Sequence, residues 1–144
     1  MQTFMPYPEF KKSAKCLDYK RLGKQRVEAM QVHRIVSGKR TEGGWINHPA
    51  VKMWSGYENA LAAYHNAMLY EWIYRGYINN MPKLPHTANY IVPEFIGNKK
   101  FHDSHKSNLL DKDFDYYSKF GWSVERGIPY YWPVQRIRDL SIMN

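Results

Sequence analysis

Hydrophobic and polar positions along this chain of 144 residues fall into three stretches with helical spacing, separated by segments with neither a helical nor a strand period. Ser13 is placed to cap a helix running to about Val36, and Ser37-Gly38 supplies a glycine just past its C-terminus. Leu22, Ala29, Val32 and Val36 share one face of it. Gly23, in its middle, costs about 1 kcal/mol relative to alanine and predicts a kink or a close backbone approach. After a loop from Gly38 to Trp45, the string NHPAVKMW opens a second helix with Pro49 in the first turn, where a missing N–H costs least. Val51, Trp54, Leu61, Met68 and Trp72, joined by Tyr57 and Tyr64, give that helix one broad apolar face through to Arg75-Gly76. A third helix is predicted from about Asn98 to Asp111, with Leu109 and Leu110 turned inward.

Between these stretches, Pro6 and Pro8 make residues 1–12 an extended arm expected to lie over the body. Residues 78–97, with Pro82, Pro85 and Pro93, are a long irregular connection, and DFDYYSKFGW and IPYYWPV form an irregular aromatic C-terminal segment. No stretch alternates convincingly as a strand. The expected class is all-α: a single compact domain, 1–144, of about three main helices.

Composition adds a partner to this picture. Lys and Arg total 21 against 13 Asp and Glu, a formal charge of +8, and the pI is near 9.5. That excess calls for a polyanion or an anionic surface. Aromatic residues make up 16% of the chain, more than a core needs, so rings remain for stacking on bases, and the combination favours nucleic acid over membrane. The single cysteine, Cys16, has no internal disulfide partner and no CxxC pair exists, which fits a reducing cytoplasm. The N-terminal string MQTFMPYPEFKK lacks the apolar stretch of a signal peptide, and no run approaches the roughly 18 apolar residues of a membrane span. The expected protein is soluble, with double-stranded DNA as its partner.

Candidate chemistry concentrates in the first helix. Lys15, Lys20, Arg21, Lys24, Arg26 and Arg34 carry six positive charges over more than one face, so both a solvated surface and phosphate contact by Lys20, Arg21 and Lys24 fit. Glu28 in LGKQRVEAM is one of very few acids there. It is either an intrahelical partner for Lys24 or an ionised group suited to stabilising a cationic, sugar-like transition state. His102 and His105 in FHDSHKSNLL stand three apart on one helix. Their alternatives are a metal pair without obvious third and fourth ligands, polar groups at the core edge, or a phosphate clasp with Lys106 and Ser107. His48, before Pro49, has the position of a helix cap and is also a candidate for DNA contact. GxSxG, GxxxxGK[ST] and HExxH are absent, and Cys16 has no sequence partner that would make it a nucleophile.

These strings together resemble the pyrimidine-dimer DNA glycosylase family typified by phage endonuclease V. The order of parts matches along most of the chain, and DYYSKFGW is similar to the family's C-terminal segment of the WYKYYG kind. The chain is still more similar to a phage and bacterial branch with the patterns MQTFLPY, LGKQRVE, HPAVxMWxGYE and FHxSHxSNLLxKD. The resemblance implies an all-α fold, and neither a cofactor nor a metal is expected. It also implies a mechanism in which the free N-terminal amine attacks C1′ of the damaged nucleoside and forms an imine, while a glutamate of the first helix stabilises the charged intermediate. With an ordinary pKa of about 7.7–8.0, an α-amine is partly neutral and nucleophilic at neutral pH.

Two departures from the family pattern change the expected site. Aligning on Arg26-Val27 puts Gly23 where the family's glutamate stands, which leaves Glu28, with Arg26 beside it, to substitute. Gln2 stands where the family has threonine, and its bulk is expected to leave Met1 in place with the nucleophilic amine. Extrusion of a base would be filled by aromatics such as Tyr116, Tyr117, Phe120 and Trp122. The function expected is thus excision of a damaged or modified pyrimidine, with or without strand-nicking lyase activity, in a bacterial cell or phage-infected host. Two alternatives remain at this level: a non-catalytic DNA-binding protein that lost the acid with Gly23, and a metal-dependent nuclease or base-modifying enzyme built on His102 and His105.

Overall fold

A computed structural model describes residues 1–134. Within them the chain is helical, without strands: α1 (Phe10–Cys16), α2 (Tyr19–Val36), α3 (Pro49–Trp54), α4 (Glu58–Tyr74), α5 (Lys99–Lys112) and α6 (Phe114–Tyr117), followed by one 3₁₀ turn, Ser118–Phe120. The three long helices, α2, α4 and α5, correspond to the three that periodicity predicts. Helix α4 is the centre, with α1 and α2 packed across it. Leu61, Tyr64 and Met68 are wholly buried, and Ala60, Ala62 and Ala67 let neighbouring backbones come close on the remaining faces. No helix among the described residues is long and apolar enough to cross a membrane.

The first two predicted helices are each interrupted. The first breaks at Leu17 and Asp18, which are extended (ψ 139° and 164°). The hydroxyl of Tyr117 accepts the Asp18 N–H (3.0 Å) and donates to the Asp18 carboxylate, so a residue ninety-nine positions away holds the break. The second breaks at Gly56, whose φ of +84° is open to glycine at no steric cost. His48 caps α3 as expected, its Nδ1 accepting the Ala50 N–H (3.0 Å). Ser13 caps nothing: the helix begins at Phe10, directly after the proline-bearing segment, and Ser13 Oγ instead accepts from Tyr7 N–H and donates to Tyr7 O.

Gly23 produces no break in α2. A Cβ there would stand 3.0 Å from Trp72 Cζ3, so the glycine leaves room for the Trp72 ring of α4 against α2. Trp72 is held on its other sides by the stacked ring of Tyr19 (5.5 Å) and by the Arg26 guanidinium (4.2 Å).

The arm does more than lie over the body. Gln2 to Pro6 are buried, and Phe4 and Met5 join the apolar cluster formed by Trp54, Tyr64, Phe101, Leu22, Leu109 and Tyr117. One core therefore draws on the N-terminal segment and on every helix. After α4, residues 78–97 are irregular as expected. Asn66 fastens them, donating from Nδ2 to Leu84 O (2.7 Å) and accepting Leu84 N–H on Oδ1 (2.8 Å).

Candidate active site

The arm belongs to no helix or sheet, so its backbone groups must find partners among side chains. Helix α5 supplies two. Because His102 and His105 are three residues apart, both rings face the arm and grip one residue, Met5. The Met5 N–H donates to His105 Nδ1 (2.8 Å), and His102 Nδ1 donates to Met5 O (2.8 Å). His102 Nε2 accepts the Gly97 N–H (2.8 Å), so each ring has one nitrogen that accepts an N–H and both rings are neutral. Burial lowers both pKa values, that of His105 to about 3. Both rings are buried against the arm, so the expected DNA contact by His102 and His105 does not fit this placement. Among the described residues no group of three or more His, Cys, Asp or Glu converges on a metal position.

Further along, Gln25 of α2 holds the arm. Its Oε1 accepts the Phe4 N–H (2.9 Å) and the Tyr64 hydroxyl (2.6 Å), while its Nε2 donates to Gln2 O (2.9 Å) and to Glu28 Oε2 (3.0 Å). The Gln2 N–H donates to the same carboxylate oxygen (3.3 Å). The glutamate one turn beyond Gln25 is thereby joined to the residue that follows the N-terminal amine.

Above this junction lies a cleft of about 480 Å³, with Met1, Gln2, Gln25 and Glu28 on its walls together with Lys20, Arg21 and Lys24 of α2, Lys112 at the end of α5, and Tyr130. Four cations thus surround one carboxylate. Arg21 is braced by Asp18 (3.1 Å), the residue that Tyr117 holds, so its guanidinium is fixed in direction. Burial pushes the Tyr130 phenol up to about 12, against the opposing pull of Arg21, and it enters the cleft as a neutral hydroxyl. His48 is near enough to the N-terminal ammonium for that charge to add to burial in lowering its pKa.

Of the residues that sequence nominated, the cleft brings together Met1, Gln2, Lys20, Arg21, Lys24 and Glu28. Arg26 is elsewhere: it covers the Trp72 ring and donates from Nη1 to Asn79 Oδ1 (3.4 Å), so its expected role beside Glu28 does not fit this placement. Tyr117 is buried and holds Asp18. Tyr116 leans on Leu17 O, and Trp122 stacks on Phe120 (5.2 Å) and donates to the Tyr7 hydroxyl (2.8 Å). Lys106 sits over the Tyr7 and Trp122 rings at 5.1 and 5.9 Å. This second, aromatic group lies outside the cleft. Cys16 is buried, its thiol pushed up to about 12, which suits a packing residue.

Sequence reasoning did not nominate Gln25, Tyr64, Tyr130 or Lys112. Only Gln25 carries a readable signal: it stands three after Leu22 and four before Ala29, a polar residue on the apolar face.

The family model described as pyrimidine dimer DNA glycosylase matches residues 1–85, which include the arm, α1, α2, α3 and α4. The chain belongs to that family, whose members are DNA repair enzymes acting on DNA. No curated protein and no solved structure matches the chain.

Proposed function

We propose that this protein excises a damaged or modified pyrimidine from duplex DNA, with the Met1 α-amine as nucleophile and Glu28 as the charge-stabilising acid. The observation that carries the reading is that the buried arm brings Met1 and Gln2 into one basic cleft with Glu28, the Gln2 N–H lying 3.3 Å from its carboxylate.

In this mechanism the amine nitrogen bonds to C1′ while the glycosidic C–N bond breaks, its electron pair leaving with the base and the amine's proton following. Opening of the sugar ring breaks the C1′–O4′ bond, gives the imine and delivers a proton to O4′. The Glu28 carboxylate offsets the positive charge that develops at C1′. Loss of a C2′ proton and cleavage of the C3′–O bond would then nick the strand, and water hydrolyses the imine to restore the amine. Lys20, Lys24 and Lys112 meet phosphates, and Arg21, held by Asp18, is a rigid fork for one of them. Tyr130 in the cleft, and the exposed Tyr19 bordering the shallow recess beside Glu28, offer ring faces to a base taken out of the stack.

Gly23 does not weigh against catalysis in this reading. A longer side chain at that position would run into Trp72, whereas Glu28 is turned toward the arm. The test is borohydride reduction during incubation with duplexes carrying modified pyrimidines or an abasic site. A covalent adduct mapping to the Met1 peptide is expected; binding without any adduct or base release leaves only the DNA-binding alternative.

A further inference from the structure

We infer that Gln25 and Tyr64 form a positioning unit that sets the N-terminal amine and the Glu28 carboxylate at their working separation; this rests on the function proposed above. The two residues contribute no group to the reacting atoms. They act through the arm.

A buried carboxamide in a helix face destabilises a fold unless its hydrogen-bonding capacity is filled. Gln25 is 1% exposed, on a face where a leucine would otherwise pack. Its four bonds are all made, and their chemistry determines its orientation. Oε1 faces two donors, the Phe4 N–H and the Tyr64 hydroxyl, while Nε2 faces two acceptors, Gln2 O and Glu28 Oε2. Rotating the amide by half a turn would set nitrogen against an N–H and oxygen against a carboxylate.

Tyr64 fixes the unit from α4. It is wholly buried, its pKa raised well above the usual phenol value by burial, so the hydroxyl keeps its proton and shares it between Gln25 Oε1 (2.6 Å) and Phe4 O (2.8 Å). One side chain from each of the two central helices therefore binds both the N–H and the C=O of Phe4, the carbonyl of Gln2, and the acid. A polar network of this kind merely filling the core would have no reason to end on a carboxylate in the cleft. Misplacement of a reacting group by about 1 Å costs roughly 10²-fold in rate, the scale on which the unit acts.

Three variants test it by single-turnover base release, borohydride trapping and duplex binding. Tyr64→Phe and Gln25→Leu should each lower the rate of base release by about 10²-fold with duplex affinity unchanged, a loss in kcat and not in KM. Gln25→Glu keeps the shape but puts a second carboxylate against Glu28 and Gln2 O. Once protonated it regains a donor and an acceptor, so its activity relative to the wild-type protein should rise as pH falls. A residue that only fills the core would show no such pH-dependent recovery. Retained duplex binding by Tyr64→Phe, which deletes one oxygen, reports that the variant folds. Full activity in the Tyr64 and Gln25 variants beside an active wild type overturns the positioning unit alone. A wild type that neither releases base nor is trapped overturns the glycosylase reading. The tether itself is then read by hydrogen exchange at the Phe4 amide: protection retained in Gln25→Leu overturns it as well.

Discussion

Glu28 shows how one residue's meaning depends on what the backbone brings to it. On helix geometry alone it pairs as readily with Lys24 as with anything else. In the folded chain its Oε2 takes two donors, Gln25 Nε2 and the Gln2 N–H, and Lys24 lines the same cleft. Replacing it by glutamine keeps the size and removes the charge. Glu28→Gln is therefore expected to lower the single-turnover rate of base release by at least about 10²-fold, while duplex affinity holds or tightens because an acid has left a basic cleft. Base release at the wild-type rate would remove Glu28 from the chemistry. The acid itself was legible in LGKQRVE as a rare acid in a basic helix. That it accepts the Gln2 N–H was not, because this contact depends on an arm whose course no local pattern encodes.

At the scale of elements, α2 carries its positive charges on faces with different destinies. Lys20 and Lys24 are exposed in the cleft, joined there by Lys112 from α5, whereas Arg26 is spent on Trp72 and Asn79. Equilibrium binding to duplex DNA should thus fall steeply with salt. Substituting Lys20, Lys24 or Lys112 by alanine should reduce the slope of log K against log salt by about 1 each. Arg26→Ala should leave the slope nearly unchanged and lower the thermal midpoint, since the guanidinium packs on a ring. Equal slope changes at all four positions would mean that Arg26 also reaches phosphate. Periodicity found α2, α4 and α5, but it merged α1 with α2 and α3 with α4. The Asp18 break is held by Tyr117, far along the chain, and the Gly56 break by a single glycine inside an otherwise continuous apolar pattern.

For the whole molecule, folding places His33, His65, His102 and His105 in the interior, and burial lowers the pKa of each. Below the ordinary histidine value of about 6.5 the unfolded chain then binds more protons than the folded one, so stability is complete above that value and is lost as the pH falls toward the lowered ones. Each ring contributes a slope of at most about 1.4 kcal/mol per pH unit within its window. His105, lowered to about 3, extends the loss furthest and surrenders the Met5 N–H when it is protonated. Urea unfolding at pH 7.5 and pH 5 should show a clear drop in midpoint, with Phe4 and Met5 amides exchanging first. A midpoint independent of pH would contradict the burial of these rings.

What the sequence determined by itself is the helical class, the three long helices, the irregular connection at 78–97, the basic and aromatic surplus, and the likeness to a family of DNA glycosylases. All of these are written in composition and in spacings of three and four residues, which a helix converts directly into faces. The tertiary structure decided which of many basic and aromatic residues meet. His102 and His105 became the arm's anchors, Arg26 left the site, and Gln25 and Tyr64 entered it. The physical reason is the extended arm. A segment with no helix or sheet of its own must satisfy its backbone with side chains from distant elements, and those partners are selected by packing in three dimensions, where sequence separation carries no information.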